Sequence, residues 1–338
     1  MRLARRILRP ALPALAGLLV AAGAPAIPDA AAETSAAKTS PPKTSPPAHL
    51  RYGRPRKIAT LADARVDESS GLAAGRTRPG VFWTHNDSGD AARLYAFDRK
   101  GRHLAEVLLK GVRADDWEDI ASVRLGGRNL LVVADIGDNL ASRTVCTLYV
   151  LEEPDVGSPD EPVTAAVPVR RTIRFVYEDG PRDCEALGVD PATGRFYFVT
   201  KEGLRCRVFE LDAGGDREAG PARGAGAKPR TAARNKRPYT ARCIGEIATS
   251  PVVAMDISPD GRRAIVLTYA DALEFVRARG ETWRRAFARK PRLVVMPRRR
   301  QGEAVCYGPD GRTLYLTSEH TPTPLFEVPV LKPGKQKR

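Results

Sequence analysis

The sequence predicts an all-β fold, a β-propeller of five four-stranded blades closed by its N-terminal strand, on three observations. First, a polar or acidic cluster running into a strand-like stretch recurs five times. The copies are ESSGLAAGRTRPGVFWTHNDSGD from Glu68, RADDWEDIASVRLGGRNLLVVADIGDN from Arg113, DCEALGVDPATGRFYFVTKEG from Asp183, VAMDISPDGRRAIVLTYAD from Val253 and QGEAVCYGPDGRTLYLTSEH from Gln301. Second, the two halves of most copies are joined by PDG, PATG or GG, the loop chemistry of hairpins. Third, each copy is followed by a further apolar segment, and most by two. Four-strand units recurring every 48 to 70 residues are the mark of a propeller.

In chain order, residues 1–32 read as a secretory signal peptide. Arg2, Arg5, Arg6 and Arg9 precede an apolar core from Ala11 to Ala22, and small-residue cleavage sites end at Ala24 or Ala32. That core is too short to span a bilayer, so no transmembrane segment is expected after cleavage. Residues 33–55, with KTSPPKTSPP, form a Pro/Ser/Thr-rich linker unable to build a core. Arg56–Leu61 is a spare strand before the first repeat. Third strands are expected at 93–97, 147–151, 207–211, 273–276 and 325–328, and fourth strands at 104–109, 172–176, 243–247 and 293–296. The last repeat lacks a fourth strand, so Arg56–Leu61 is expected to supply it. A sixth blade would need a repeat hidden within 183–252. The propeller is expected to span 56–330, and 331–338 is a basic tail.

The net charge is +15, and cleavage after Ala32 removes four Arg and Asp29 to leave +12. The basic residues concentrate in Arg217–Arg237, in Arg298-Arg299-Arg300 and in the tail. Two readings stand: a solvated basic surface, or attraction to small or polymeric anionic ligands. Nucleic acid is not expected, because aromatics are not interleaved with the basic runs. The five cysteines are scattered without a CxxC, which excludes a zinc site of the usual spacing. Cys206–Cys243, on neighbouring strands, is the favoured disulfide.

In a hairpin the start of the first strand lies beside the end of the second. Both kinds of polar cluster therefore converge on one mouth of the central channel, and the PDG-type turns lie opposite. Aligning the repeats puts Ser70, Glu118, Glu185, Met255 and Glu303 in one ring. Three glutamates about 6 Å apart would repel by about 3 kcal/mol per pair at an effective dielectric near 20. A Ca²⁺ ion held by Ser70, Glu118, Glu185 and Glu303 would neutralise them. Internal pairing with Lys201, Arg182 or Arg300, or raised pKa values, would do the same. The second-strand ends add Asn86, Asp87, Asp135, Asn139, Lys201 and Glu319 as ligand-binding candidates, with Arg299 and Arg300 for an anion. His85 and Asp138 are the catalytic candidates. A His at a strand end is more often a hydrogen-bonded structural residue, and Asp138 is also readable as the cap of its own turn, where Gly137 would supply a positive φ.

The pairs SSGLA with WTHNDSGD, DWEDIA with ADIGDN, DCEAL with VTKEG, AMDISPDGRR with LTYAD and QGEAVCY with LTSE carry a resemblance. Over about residues 57–330 the chain resembles exported bacterial WD-repeat-like or TolB-like β-propellers of unassigned function. More distantly, the SGL, EAL and EAV strand starts are similar to phytase-like esterase domains, and the ring resembles calcium-activated nucleotidase propellers. The resemblance implies calcium at Ser70, Glu118, Glu185 and Glu303, while Met255 departs from the polar ligand expected there.

The expected function is that of a secreted or periplasmic, monomeric propeller of the cell envelope, binding a ligand at an acidic, cation-containing mouth. The alternative is a calcium-dependent hydrolase of phosphate or carboxylate esters. There Lys201, Arg299 or Arg300 would hold the anion and His85 or Asp138 would move a proton. The sequence leaves open whether the mouth is catalytic. It contains no GxSxG, Walker or dinucleotide-glycine motif.

Overall fold

The structure, a computed structural model, describes residues 45–87, 89–214 and 237–331. The expected leader, the first part of the expected linker, most of the Arg217–Arg237 segment and nearly all of the basic tail lie outside these residues. The described chain is all-β, with one helix of five residues, and its sheets are propeller-like. No described helix is long and apolar enough to cross a membrane.

The first sheet orders β2 (Ser69–Ala74), β3 (Val81–Asn86), β4 (Arg93–Asp98) and β5 (His103–Lys110) from inside to outside. The second repeat supplies β6 (Trp117–Leu125), β7 (Arg128–Asp135), β8 (Cys146–Glu152) and, after an excursion, β10 (Arg171–Tyr177). That excursion contains β9 (Val163–Pro168), which adds in parallel to the outside of β5. Sequence reasoning missed β9 because it is short and set in a Pro- and acid-rich stretch with none of the repeat's markers.

The third repeat is β11 (Cys184–Val189), β12 (Phe196–Thr200), β13 (Cys206–Leu211) and β14 (Tyr239–Ile247). Its outer strand β14 pairs in parallel with β10, so the second and third repeats share one eight-stranded sheet. The fourth is β15 (Val252–Ile257), β16 (Arg263–Thr268), β17 (Ala272–Val276) and β18 (Arg292–Val294), with α1 (Trp283–Phe287) between the last two. The fifth is β19 (Ala304–Tyr307), β20 (Leu314–Thr317) and β21 (Pro324–Val328), completed by β1 (Arg56–Thr60) antiparallel to β21. The spare N-terminal strand thus lies where the missing fourth strand was expected.

The inner strands β2, β6, β11, β15 and β19 each pack on the next, and β19 packs back on β2. Five apolar clusters lie between successive repeats; one joins Leu72 and Phe82 of the first repeat to Cys306, Tyr315 and Leu325 of the last. Close approach of inner strands demands small residues. A Cβ on Gly71 would sit 2.7 Å from the Ile120 backbone nitrogen and 2.6 Å from His85 Nε2.

Inner strands of different repeats do not pair with one another, so side chains link them. Asp119 of β6 accepts from Leu187 N of β11 at 2.8 Å and from Met255 N of β15 at 3.3 Å. Asp256 of β15 accepts from Tyr307 N of β19 at 2.7 Å, and Ser70 Oγ of β2 donates to the Glu118 carbonyl at 2.9 Å. Between the third and fourth repeats, Arg277 donates to both oxygens of buried Asp190 at 2.9 and 3.0 Å.

Two sequence expectations are corrected. Cys206 and Cys243 are both free, because the strand register sets Cys206 against Ile247 and Cys243 against Phe209. The ring position in the fourth repeat is Val253, not Met255. In β2, β6, β11 and β15 the register slips by one residue, at Ser70, Glu118, Glu185 and Val253. Met255 lies beyond that bulge, and its side chain joins the core between the third and fourth repeats.

Candidate functional site

The bulges determine which side chains reach the mouth, because an extra residue re-aims a side chain that strand alternation would direct elsewhere. Glu118 and Glu185 occupy two of them. Both are buried, at 3% and 4% exposure. Their partners differ. The Glu185 carboxylate is ion-paired with the Lys201 ammonium just past β12, while Oε2 has no hydrogen-bond partner. Burial nevertheless holds the Glu185 carboxyl above the usual range, outweighing the ammonium. Glu118 has no ion pair, and no hydrogen bond reaches its carboxylate among the described residues. Burial, then the charges of Glu185, Asp87 and Asp116, push its carboxyl well above the ordinary value.

Beside Glu118 the loops build a three-carboxylate cluster. One oxygen each of Asp87, Asp116 and Glu118 lies within 4.8 Å of the others. The sequence orders this local structure. Asp135, ending β7, accepts from the backbone N–H groups of Asp115 and Asp116 at 3.3 and 3.2 Å and from Arg143 Nη2 at 2.6 Å. The Asp116 carbonyl accepts from Ile136 and Gly137, both at 3.2 Å. The segment preceding β6 is thereby fastened over Gly137. A Cβ there would lie 2.1 Å from Glu118 Oε1 and 2.5 Å from Asp116 Oδ2. Gly137 is therefore required for the close approach of two carboxylates and not for the positive φ expected of it; Ala141 takes the positive φ in this loop, at 46°. Burial, followed by the Asp87 charge, raises the Asp116 carboxyl to about 6.

Glu303 and Glu319 are neighbouring carboxyls. The Tyr269 hydroxyl, just past β16, donates to Glu303 Oε1 at 2.8 Å, and its ring centroid lies 5.7 Å from Lys201 Nζ. Burial, followed by the neighbouring Glu303 carboxyl, raises the Glu319 carboxyl above its ordinary range.

The remaining candidates divide clearly. Ser70 spends its hydroxyl proton on the Glu118 carbonyl. His85 is closed from solvent. Its Nδ1 hydrogen-bonds the Asn86 carbonyl at 2.8 Å, its ring meets Trp117 edge-on at 5.6 Å, and burial depresses its pKa to about 4. It is a neutral imidazole in the wall. Asn86 bonds the Arg65 carbonyl at 2.7 Å. Asp138 accepts from Ser142 N at 2.8 Å and Arg143 N at 2.6 Å, which makes it the cap of its own loop. Asn139 and Arg300 are exposed. Arg299 donates to the Pro297 and Thr268 carbonyls at 2.9 and 3.2 Å, and burial lowers its pKa to about 10.

Two residues outside the predicted set complete the site, Asp116 and Tyr269. Both stood in polar clusters bounding repeat strands, which was the available signal; their selection over neighbours depends on loop geometry. A set of oxygen ligands around Glu118, one buried without a protein partner and two from short loops, fits a hard cation such as Ca²⁺. The fitting set is Asp87, Asp116 and Glu118, so Glu118 is the one member shared with the expected quartet. Glu185 is taken up by Lys201, and Glu303 by Tyr269 and Glu319.

No protein-family model matches the sequence, and a search of curated proteins finds no match. Among solved structures, the chain is similar to a candidate 6-phosphogluconolactonase from Bacteroides uniformis, at 14% identity and a TM-score of 0.39. That alignment covers 81% of this chain and 71% of the other. It is also similar to the hydrazine synthase of Kuenenia stuttgartiensis, at 14% identity and a TM-score of 0.36, over 75% of this chain and 56% of that one.

Proposed function

We propose that the chain is a five-bladed β-propeller of the exported, WD-repeat-like kind, which binds a divalent cation, and through it an anionic ligand, at one mouth of its channel. The cyclic packing of the five inner strands and the pairing of β1 with β21 support the five-bladed reading. The proposed export and envelope location rest on the N-terminal leader. One observation carries the cation reading: Glu118 is buried beside Asp87 and Asp116, and among the described residues no hydrogen bond reaches its carboxylate. A buried carboxylate left so is costly unless it is protonated or binds a cation. Asp87, Asp116 and Glu118 would hold the ion, and Lys201 would supply positive charge for an anion that completes its shell.

Titration calorimetry with Ca²⁺ on the full chain tests this. One site is expected, weakened at least tenfold by Glu118→Gln and by Asp116→Asn, and little changed by Glu303→Gln. Binding that follows Glu185 and Glu303 but not Glu118 would overturn the assignment.

The hydrolase alternative gains one supporting feature. When bound, the cation would supply Lewis-acid polarisation of an ester or phosphoester oxygen. Glu319, whose carboxyl burial and the Glu303 neighbour raise to about 9, would keep a proton at neutral pH at the same mouth, the requirement for a general acid. His85 and Asp138, occupied in the wall and the loop, are replaced in that role by Glu319. Turnover of generic ester and phosphoester substrates with Ca²⁺, lost in Glu319→Gln while Ca²⁺ binding persists, would establish it.

A further inference from the structure

The outermost strand of the fourth sheet, β18, lies within a strongly basic stretch. Between Glu281 and Glu303 there are eight cations and no acid. Strand alternation buries Val294 and Met296 against the core and turns Leu293 and Val295 outward, at 59% and 64% exposure. Lys290, Arg292, Arg298 and Arg300 around them are exposed, and none makes an ion pair or side-chain hydrogen bond among the described residues. Several arginines elsewhere have acidic partners. Arg102 pairs with Asp98, Arg195 with Glu210 and Asp212, and Arg182 with Asp179 and Glu202. No strand covers the free edge of β18, which pairs only with β17 among the described residues.

We infer that this edge docks on the surface of an anionic lipid bilayer, with Leu293 and Val295 entering the headgroup boundary and Lys290, Arg292, Arg298 and Arg300 lying among the phosphates. Two features select this occupant. A soluble polyanion would use the cations but leave two neighbouring aliphatic side chains in water. A second copy of the chain paired edge to edge would set the two basic strands against each other, the arrangement by which edge charges oppose such pairing. A bilayer with acidic headgroups satisfies both the charges and the aliphatic pair. The inference is independent of the cation at the mouth.

The test is co-sedimentation of the full chain with vesicles of phosphatidylcholine alone or mixed with phosphatidylglycerol. Binding is expected only to the mixed vesicles, and to fall with added salt as surface charges are screened. Leu293→Asp with Val295→Asp, and separately Lys290→Glu with Arg292→Glu, are each expected to weaken it at least tenfold. These positions are exposed, so the variants should retain the parent unfolding midpoint; if one does not, Leu293→Ser with Val295→Ser replaces it. Equal binding to both vesicle types overturns the proposal. So does binding indifferent to the aliphatic substitutions and displaced by inorganic polyphosphate, which would indicate a polyanion site. Sedimentation as a dimer that the aliphatic variants dissociate would assign the edge to self-association and overturn it as well.

Discussion

Glu118 and Asp119 are consecutive acids, both buried, and they belong to two different regions. Asp119 lies among the inner strands, where three backbone N–H groups, those of Ile120, Leu187 and Met255, donate to it. Asp256 is satisfied in the same way by Tyr307 N. At the proposed mouth, Glu118 has mainly carboxylates for neighbours, and among the described residues no hydrogen bond reaches its carboxylate. Burial and a raised pKa are common to both regions and so do not separate them. What separates a carboxylate that holds the fold from one kept for a ligand is whether the protein itself supplies its hydrogen bonds.

The largest effect is therefore expected at Asp119. Asp119→Ala leaves the N–H groups of Leu187 and Met255 unpaired in the interior, which should cost about 3 kcal/mol or more of folding stability in urea unfolding. A loss below about 1 kcal/mol would collapse the distinction between the regions. Glu118→Gln is expected to do the reverse. Removing the charge should raise cation-free stability by about 1 kcal/mol in the same measurement, while the calorimetric Ca²⁺ signal disappears.

Gly137→Ala sharpens the comparison without altering any charge. The added methyl group must displace Glu118 Oε1 and Asp116 Oδ2, so Ca²⁺ affinity should fall about tenfold or more. An unchanged affinity would remove Gly137 from the site. pH gives a further check through Asp116. Its folded pKa of about 6 lies above the ordinary 3.8, so the folded state keeps its proton longer than the unfolded chain does. Its contribution to cation-free stability is thus present at low pH and is lost as pH rises from about 4 through about 6. Over the upper part of that window Ca²⁺ affinity should climb, and Asp116→Asn should flatten both profiles. The smallest effect is expected at Asp138, where Asn keeps much of the loop cap. Asp138→Asn should cost about 1 kcal/mol or less and leave Ca²⁺ binding within twofold; lost binding with unaltered stability would return Asp138 to the site.

The repeat starts, the hairpins and the spare strand at Arg56 were legible in the sequence because they are local. Turn residues sit at regular offsets, and a period-two pattern marks each strand wherever one occurs. The same logic placed Glu118 in a ring with Ser70, Glu185 and Glu303 without separating it from them. The tertiary structure alone decided their partners. A one-residue bulge exchanged Met255 for Val253, Lys201 reached Glu185 from the next strand, and Asp116 was carried to Glu118 by the Asp135–Arg143 loop. The short strand β9 and the helix α1 likewise owe their places to the sheet they pack on. Alternation along a strand can be read from its residues, but which neighbour satisfies a buried carboxylate depends on distances between segments far apart in the chain.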